Sequence, residues 1–169
     1  MPKVQRFFLE IQKDNKKKIK LNIPKNIEIY TDKSKDINLN KFFYRQIGID
    51  HFWRDRLIWS DNEWTKYVNN KNLETGIIKI DKDLAGFYEL EFHYSKNEIE
   101  LIQMGILKEF QGKKLGSLLL NYVIHSVFSN SIAKRLWVHT CSLDHKYALK
   151  NYVSKGLKIF KKEEIEFEI

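Results

Sequence analysis

The residues that staple or punctuate a chain are scarce here. Among 169 residues there is one cysteine, Cys141, so an internal disulfide and any Cys-rich zinc or iron–sulfur site are excluded. A lone thiol suits a reducing compartment, and the cytoplasm is the expected location. Two prolines and seven glycines leave no Pro/Gly/Ser-rich linker, and no repeat is evident, so one domain over residues 1–169 is expected. No apolar run nears the roughly 18 residues of a membrane span. Phe7, Phe8 and Leu9 are followed too soon by Glu10 and Lys13 to form a signal-peptide core, so no membrane association is expected.

Large apolar groups and positive charge are plentiful. Aromatic residues make up 14% of the chain and hydrophobic residues 43%, enough to bury one core and too many for a disordered chain. The net charge is +8 and the pI about 9.4, which favours an anionic partner: nucleic acid, a membrane surface or a phosphorylated cofactor. The lysines are dispersed among many Asn and Ile, and no RNA- or DNA-binding signature appears, so no nucleic-acid partner is expected.

Pattern changes give the organisation. Arg6 to Ile11 and Ile27 to Tyr30 read as strands separated by a solvated run, Asn15 to Lys18. Leu39 to Ile47 reads as a helix closed by Gly48. Ser60 to Asn69 reads as another, because Ser60 with Glu63 forms a capping box. From Glu74 the pattern is sheet, with Thr75 to Ile80, Leu84 to Tyr94 and Glu98 to Leu107 joined by tight turns into a meander. Leu115, Leu118, Leu119, Tyr122, Val123, Ser126 and Val127 trace a helical face. A strand from Arg135 to Cys141, a helix from His145 to Lys155 ended by Gly156, and a strand alternating Glu164, Glu166, Glu168 with Ile165, Phe167, Ile169 complete the chain. The strand–helix–strand crossover from Glu98 to Cys141 makes those two strands parallel within an otherwise antiparallel sheet. The expected class is α+β, a mixed α/β fold with helices flanking the sheet.

Chemistry concentrates where a strand runs into a helix, from Met104 to Gly116. Backbone N–H groups and the positive end of the helix dipole favour phosphate there. Gly112 and Gly116 let backbone approach a ligand, and Lys113 and Lys114 add charge. Taken alone, the same glycines also fit a turn that binds nothing. Gln111-Gly-Lys-Lys-Leu-Gly116, followed by Ala148, Tyr152, Gly156 and Leu157, resembles the GNAT superfamily of acetyl-CoA-dependent N-acetyltransferases. The first segment is similar to that family's pyrophosphate loop and the second to its Ala-x-x-x-Tyr-x-x-x-Gly-Phe helix. Lys114 stands where the family loop has its middle glycine, Leu157 replaces Phe, and Asp144 sits where many members have Asn. Residues 43–48, 53–64, 85–90 and 139–145 look like signatures of a mostly uncharacterised bacterial branch. The first 35 residues carry no resemblance.

The resemblance implies a sheet with one splayed parallel pair. Met104, Gly105 and Ile106 would offer backbone to the pantetheine arm, Gly105 would clear space beside it, and residues Gln111, Gly112, Lys113, Lys114, Leu115, Gly116 and Ser117 would meet the pyrophosphate, with Asp144 near the cofactor. It implies acetyl transfer from acetyl-CoA, without a metal, to a primary amine of a small molecule, amino acid or peptide, by direct attack. Tyr152 is the candidate proton donor to the departing thiolate. Candidate bases are Glu89, His139, whose ordinary pKa of about 6.5 suits proton transfer, and Asp144, with a water chain as the alternative. Each also fits a satisfied sheet or capping residue. Cys141, flanked by His139 and His145, is a nucleophile candidate by pattern, and direct transfer, which needs no acyl-enzyme, favours reading it as a small buried thiol. Tyr44, Trp53, Arg54, Asp55, Arg56, Trp59 and Trp64 either build an acceptor site, with Arg holding a carboxylate, or are core and local pairs. A non-catalytic CoA-binding module on the same fold is the alternative function, and a monomer or homodimer is expected.

Overall fold

The computed structural model describes residues 2–16 and 20–167. Its strands are β1 (Lys3–Gln12), β2 (Ile27–Thr31), β3 (Leu73–Ile80), β4 (Asp83–His93), β5 (Glu98–Ile106), β6 (Arg135–Cys141) and β7 (Lys158–Glu166). Its helices are α1 (Ile37–Gly48), α2 (Asp61–Val68), α3 (Leu115–Asn130) and α4 (Ala148–Ser154). Lys17 and Lys18 of the expected solvated run, and Glu168 and Ile169 of the expected final strand, lie outside the described residues.

The strands form one sheet in the order β2-β3-β4-β5-β6-β1-β7. Every neighbouring pair is antiparallel except β5 and β6, as the crossover through α3 requires. The N-terminal strand sits inside the sheet, pairing Leu9 with Val138 of β6 on one side and with Ile159 of β7 on the other.

Alternation sends the two sides of each strand into different cores. Ile78, Tyr88, Leu90, Leu101, Leu136, Val138 and Leu9 meet α3 through Leu119, Leu120, Val123 and Ile124, with Tyr152 of α4 in the same cluster. The buried side of α3 is therefore wider than expected, taking in Leu120, Ile124 and Phe128. On the opposite face, Ile77 and Phe87 pack against Phe43 and Ile47 of α1. The Phe43 and Phe87 rings stack at 5.0 Å.

Local signals set the helix starts. The Asp36 carboxylate accepts from the Asn38 N–H at the start of α1. At α2 both arms of the Ser60–Glu63 capping box are formed. Helix α1 ends at Gly48, the expected closing residue. Gly48 keeps an ordinary helical φ, and its value is space, because a Cβ there would lie 2.6 Å from Trp53 Cβ. The helix expected from His145 starts at Ala148, because the chain first closes turns in which the Asp144 N–H donates to the Cys141 carbonyl and the Ala148 N–H to the His145 carbonyl. The final strand begins earlier than its alternating segment, at Lys158, just after the left-handed Gly156 (φ 99°).

Candidate active site

The β5–β6 ladder pairs Glu98 to Leu101 with Arg135 to Val138 and then stops. Both strands continue, β5 to Ile106 and β6 to Cys141, so a wedge opens between them. On their outer sides these segments stay paired, Gly105 with Phe87 and Thr140 with Phe7. Alternate N–H and C=O groups facing the wedge lack a strand partner and are free to pair with an extended amide chain.

The wedge leads into the turn before α3. The Gln111 side chain donates to the Ile106 carbonyl at 3.2 Å and draws the turn back over the end of β5. Gly112 adopts φ +79° and Lys114 φ +61°, so Lys114 takes up the left-handed backbone that its glycine-like position demands. That conformation costs a non-glycine residue about 1 kcal/mol. No side chain caps α3, and among the described residues the N–H groups of 112–117 make no hydrogen bond. A Cβ on Gly112 would meet nothing within 4 Å, and one on Gly116 would meet only Ile106 Cγ1 at 4.0 Å. Unpaired donors at a helix start, open space in front of them and the exposed Lys113 and Lys114 fit a pyrophosphate. Leu115 itself is buried and anchors the helix. Asn151 of α4 donates to the Gly116 carbonyl at 3.2 Å, tying α4 to the same turn.

Gly105 has a different neighbour from the one expected. A Cβ there would lie 2.7 Å from Ile47 Cγ2, so this glycine makes room for α1.

Tyr152 lies in the core on the α3 side of the sheet, 6% exposed, and its hydroxyl has no hydrogen-bond partner among the described residues. Burial, then the Asp144 charge, pushes its pKa above the usual tyrosine value, so the phenol stays protonated. His139, on the unpaired part of β6, faces the other side and is exposed, with its ring 5.6 Å from Phe8. Desolvation first, then the Arg6 charge, lowers its pKa, so the imidazole is neutral at pH 7. The Cys141 thiol is pushed up, chiefly by burial, and so remains a weak nucleophile.

Glu89 is wholly buried with every oxygen engaged. Oε1 accepts from Arg56 Nη1 (2.9 Å) and the Tyr67 hydroxyl (3.1 Å), and Oε2 from Asn40 Nδ2 (2.8 Å). Arg56 is 7% exposed and lies within 6 Å of the Tyr44, Trp59, Trp64 and Tyr67 ring centroids. It is therefore not free to hold an acceptor carboxylate, and Tyr44 and Trp64, at 2% and 1% exposure, are core. Asp144 is also engaged, by the Thr140 hydroxyl and the Cys141 N–H on one oxygen and by the Trp53 indole N–H on the other. The sequence reading missed the Asn40–Glu89–Tyr67 network, the Gln111 and Asn151 ties and the Trp53–Asp144 link. The run of Tyr and Trp around Arg56 was the one available hint.

A family profile described as the acetyltransferase (GNAT) family matches residues 37–156. The chain belongs to that family. It is thus a member of a family of acetyltransferase enzymes, with β1, β2 and β7 outside the matched segment. No curated protein matches the sequence. A GCN5-related N-acetyltransferase from Sphaerobacter thermophilus superposes with TM-score 0.70 at 11% identity, covering 96% of this chain and 50% of that one. A conserved protein of unknown function from Staphylococcus epidermidis gives 0.65 at 17% identity, covering 96% and 60%. An aminoglycoside acetyltransferase from an uncultured soil metagenomic sample gives 0.64 at 15% identity, covering 80% and 90%. The chain spans only 50% to 60% of the length of the first two of these structures. Among the described residues no helix is long and apolar enough to cross a membrane, and no group of three or more His, Cys, Asp or Glu side chains is placed to hold a metal.

Proposed function

We propose that the chain is an acetyl-CoA-dependent N-acetyltransferase acting on a primary amine of a small molecule, amino acid or peptide in the cytoplasm, within one domain. The observation that carries this reading is the continuity of the open β5–β6 wedge with the uncapped, lysine-flanked turn at residues 112–117. Bound acetyl-CoA would supply an activated acetyl thioester. The wedge edge at Met104 and Ile106, on either side of the Phe87-paired Gly105, would hold its amide arm, and the turn its phosphates.

The chain's own groups divide the proton work. Neutral His139, facing the α1 side, takes a proton from the acceptor ammonium, directly or through water, and the neutral amine then attacks the thioester carbonyl. Tyr152, protonated on the other side, gives one to the thiolate. A wedge N–H at Met104 or Ile106 is positioned along β5 to stabilise negative charge on the carbonyl oxygen. We assign Glu89 to holding Arg56 and the segment around it, since its oxygens already accept from Arg56, Tyr67 and Asn40.

A panel of amines with acetyl-CoA and detection of free thiol tests the reading. Amine-dependent release with at least one amine class is expected. Binding of acetyl-CoA without release for any amine would instead indicate the CoA-binding module.

A further inference from the structure

The segment between α1 and α2, residues 49–60, is poorly buried, with Ile49 79%, Leu57 53% and Ile58 89% exposed. Its position comes from a few specific anchors. At its C-terminal end the Arg56 guanidinium is fixed on Glu89, and the Arg56 N–H donates to the Tyr44 hydroxyl at 3.0 Å. In its middle, Trp53 fills the space left by Gly48 and lies against Tyr44 and Phe87, with centroids at 5.7 and 6.4 Å. From there the indole N–H donates to Asp144 Oδ1 at 3.2 Å.

The other oxygen of Asp144 accepts from the Thr140 hydroxyl at 2.5 Å and the Cys141 N–H at 3.0 Å. Both residues lie beyond Val138, the last β6 residue paired with β5, so this carboxylate belongs to the free arm of the wedge. A second contact runs in parallel, with His51 Nδ1 3.3 Å from the Leu143 carbonyl oxygen. The opposite arm is touched by the preceding helix, where Ile47 fits against Gly105. One stretch of chain thus spans the wedge, with Ile47 on β5 and Trp53 on the end of β6, where no backbone ladder joins the two arms.

We propose that Trp53 is a positioning residue for the acceptor: its bond to Asp144 ties the 49–60 segment to the free arm of β6 and fixes the opening through which the amine reaches the thioester. This rests on the acetyltransferase reading. Asp144, for which the family resemblance implies a cofactor contact, is the residue that receives this tie.

Trp53→Phe keeps a ring in the Tyr44–Phe87 contact and deletes the donor, and Asp144→Ala deletes the acceptor. The wild type, both variants and the double variant are compared by amide hydrogen exchange and by kinetics with an amine that the wild type turns over. Exchange is expected to rise together in 49–55 and 139–144 in each single variant, further in Asp144→Ala, which also loses the Thr140 and Cys141 bonds, with the double variant no faster than Asp144→Ala alone. The acceptor KM is expected to rise about tenfold while the acetyl-CoA KM stays within about twofold, as loosening of the acceptor opening alone predicts. Additive effects, exchange rising on one side only, or an unchanged acceptor KM would overturn the tie. A wild type that binds acetyl-CoA but turns over no amine overturns the transferase reading on which the role rests, whatever the exchange data show.

Discussion

Arg56 and Glu89 form an ion pair at 2.9 Å beneath α1 and α2, with side-chain exposures of 8% and 0%. They sit 33 residues apart in sequence and close a network with Asn40, Thr75 and Tyr67. A pair this enclosed matters chiefly through what happens when half of it is removed. Arg56→Met leaves a buried carboxylate with only neutral donors and is expected to cost about 3–5 kcal/mol. Adding Glu89→Gln removes the stranded charge, keeps an amide oxygen to accept from Asn40 and turns an amide N–H towards the Tyr67 hydroxyl, which has lost its Arg56 donor, and should recover much of the loss. Urea unfolding at pH 7 measures both, and a single variant within about 1 kcal/mol of wild type would contradict the assignment.

Lys114 separates backbone from charge. Its φ of +61° suits glycine, so Lys114→Gly should be more stable than Lys114→Ala by about 1 kcal/mol. Both variants lose the same charge and should weaken acetyl-CoA binding alike. Equal stabilities would show that the left-handed turn is not held in solution.

The pH dependence follows from two imidazoles. Desolvation and Arg6 lower the pKa of His139, and desolvation, His51 and Lys146 lower that of His145. The native state resists protons that the unfolded chain accepts near its ordinary value of about 6.5. Their contribution is therefore complete above about pH 7 and is lost as pH falls through that value towards the lowered native ones. Urea midpoints should drop between pH 7.5 and pH 5.5, and the drop should shrink in the His139→Gln, His145→Gln double variant.

Tyr152→Phe removes a hydroxyl that has no protein partner among the described residues, so stability should change by less than about 1 kcal/mol. If this phenol protonates the thiolate, kcat falls by about 10²-fold or more with acetyl-CoA affinity unchanged. Unchanged turnover would move that proton to solvent.

Much of the fold was legible because its signals are local. The Ser60–Glu63 box, the bounds of Arg135–Cys141 and the parallel sense of β5 and β6 each follow from a few neighbouring residues or one crossover. The place of β1 inside the sheet was not legible, because pairing Leu9 with Val138 depends on contacts far apart in sequence that leave no local pattern. For the same reason the sequence left Glu89 and Asp144 open between candidate base and satisfied structural residue, since Arg56 and Trp53, which engage them, are distant in the chain. Gly105 shows the limit of reading a missing side chain: the sequence marks the space, and the fold decides that Ile47 takes it.

Titration of acetyl-CoA into the folded protein by calorimetry, alongside a Lys113→Ala, Lys114→Ala double variant, separates a cofactor site at residues 112–117 from a turn that binds nothing. Saturable equimolar binding is expected with a Kd below about 100 µM, near 5.5 kcal/mol, weakened several-fold in the variant and more so at low salt. Absence of binding at concentrations of about 0.5 mM, or equal affinity of wild type and variant, would contradict it.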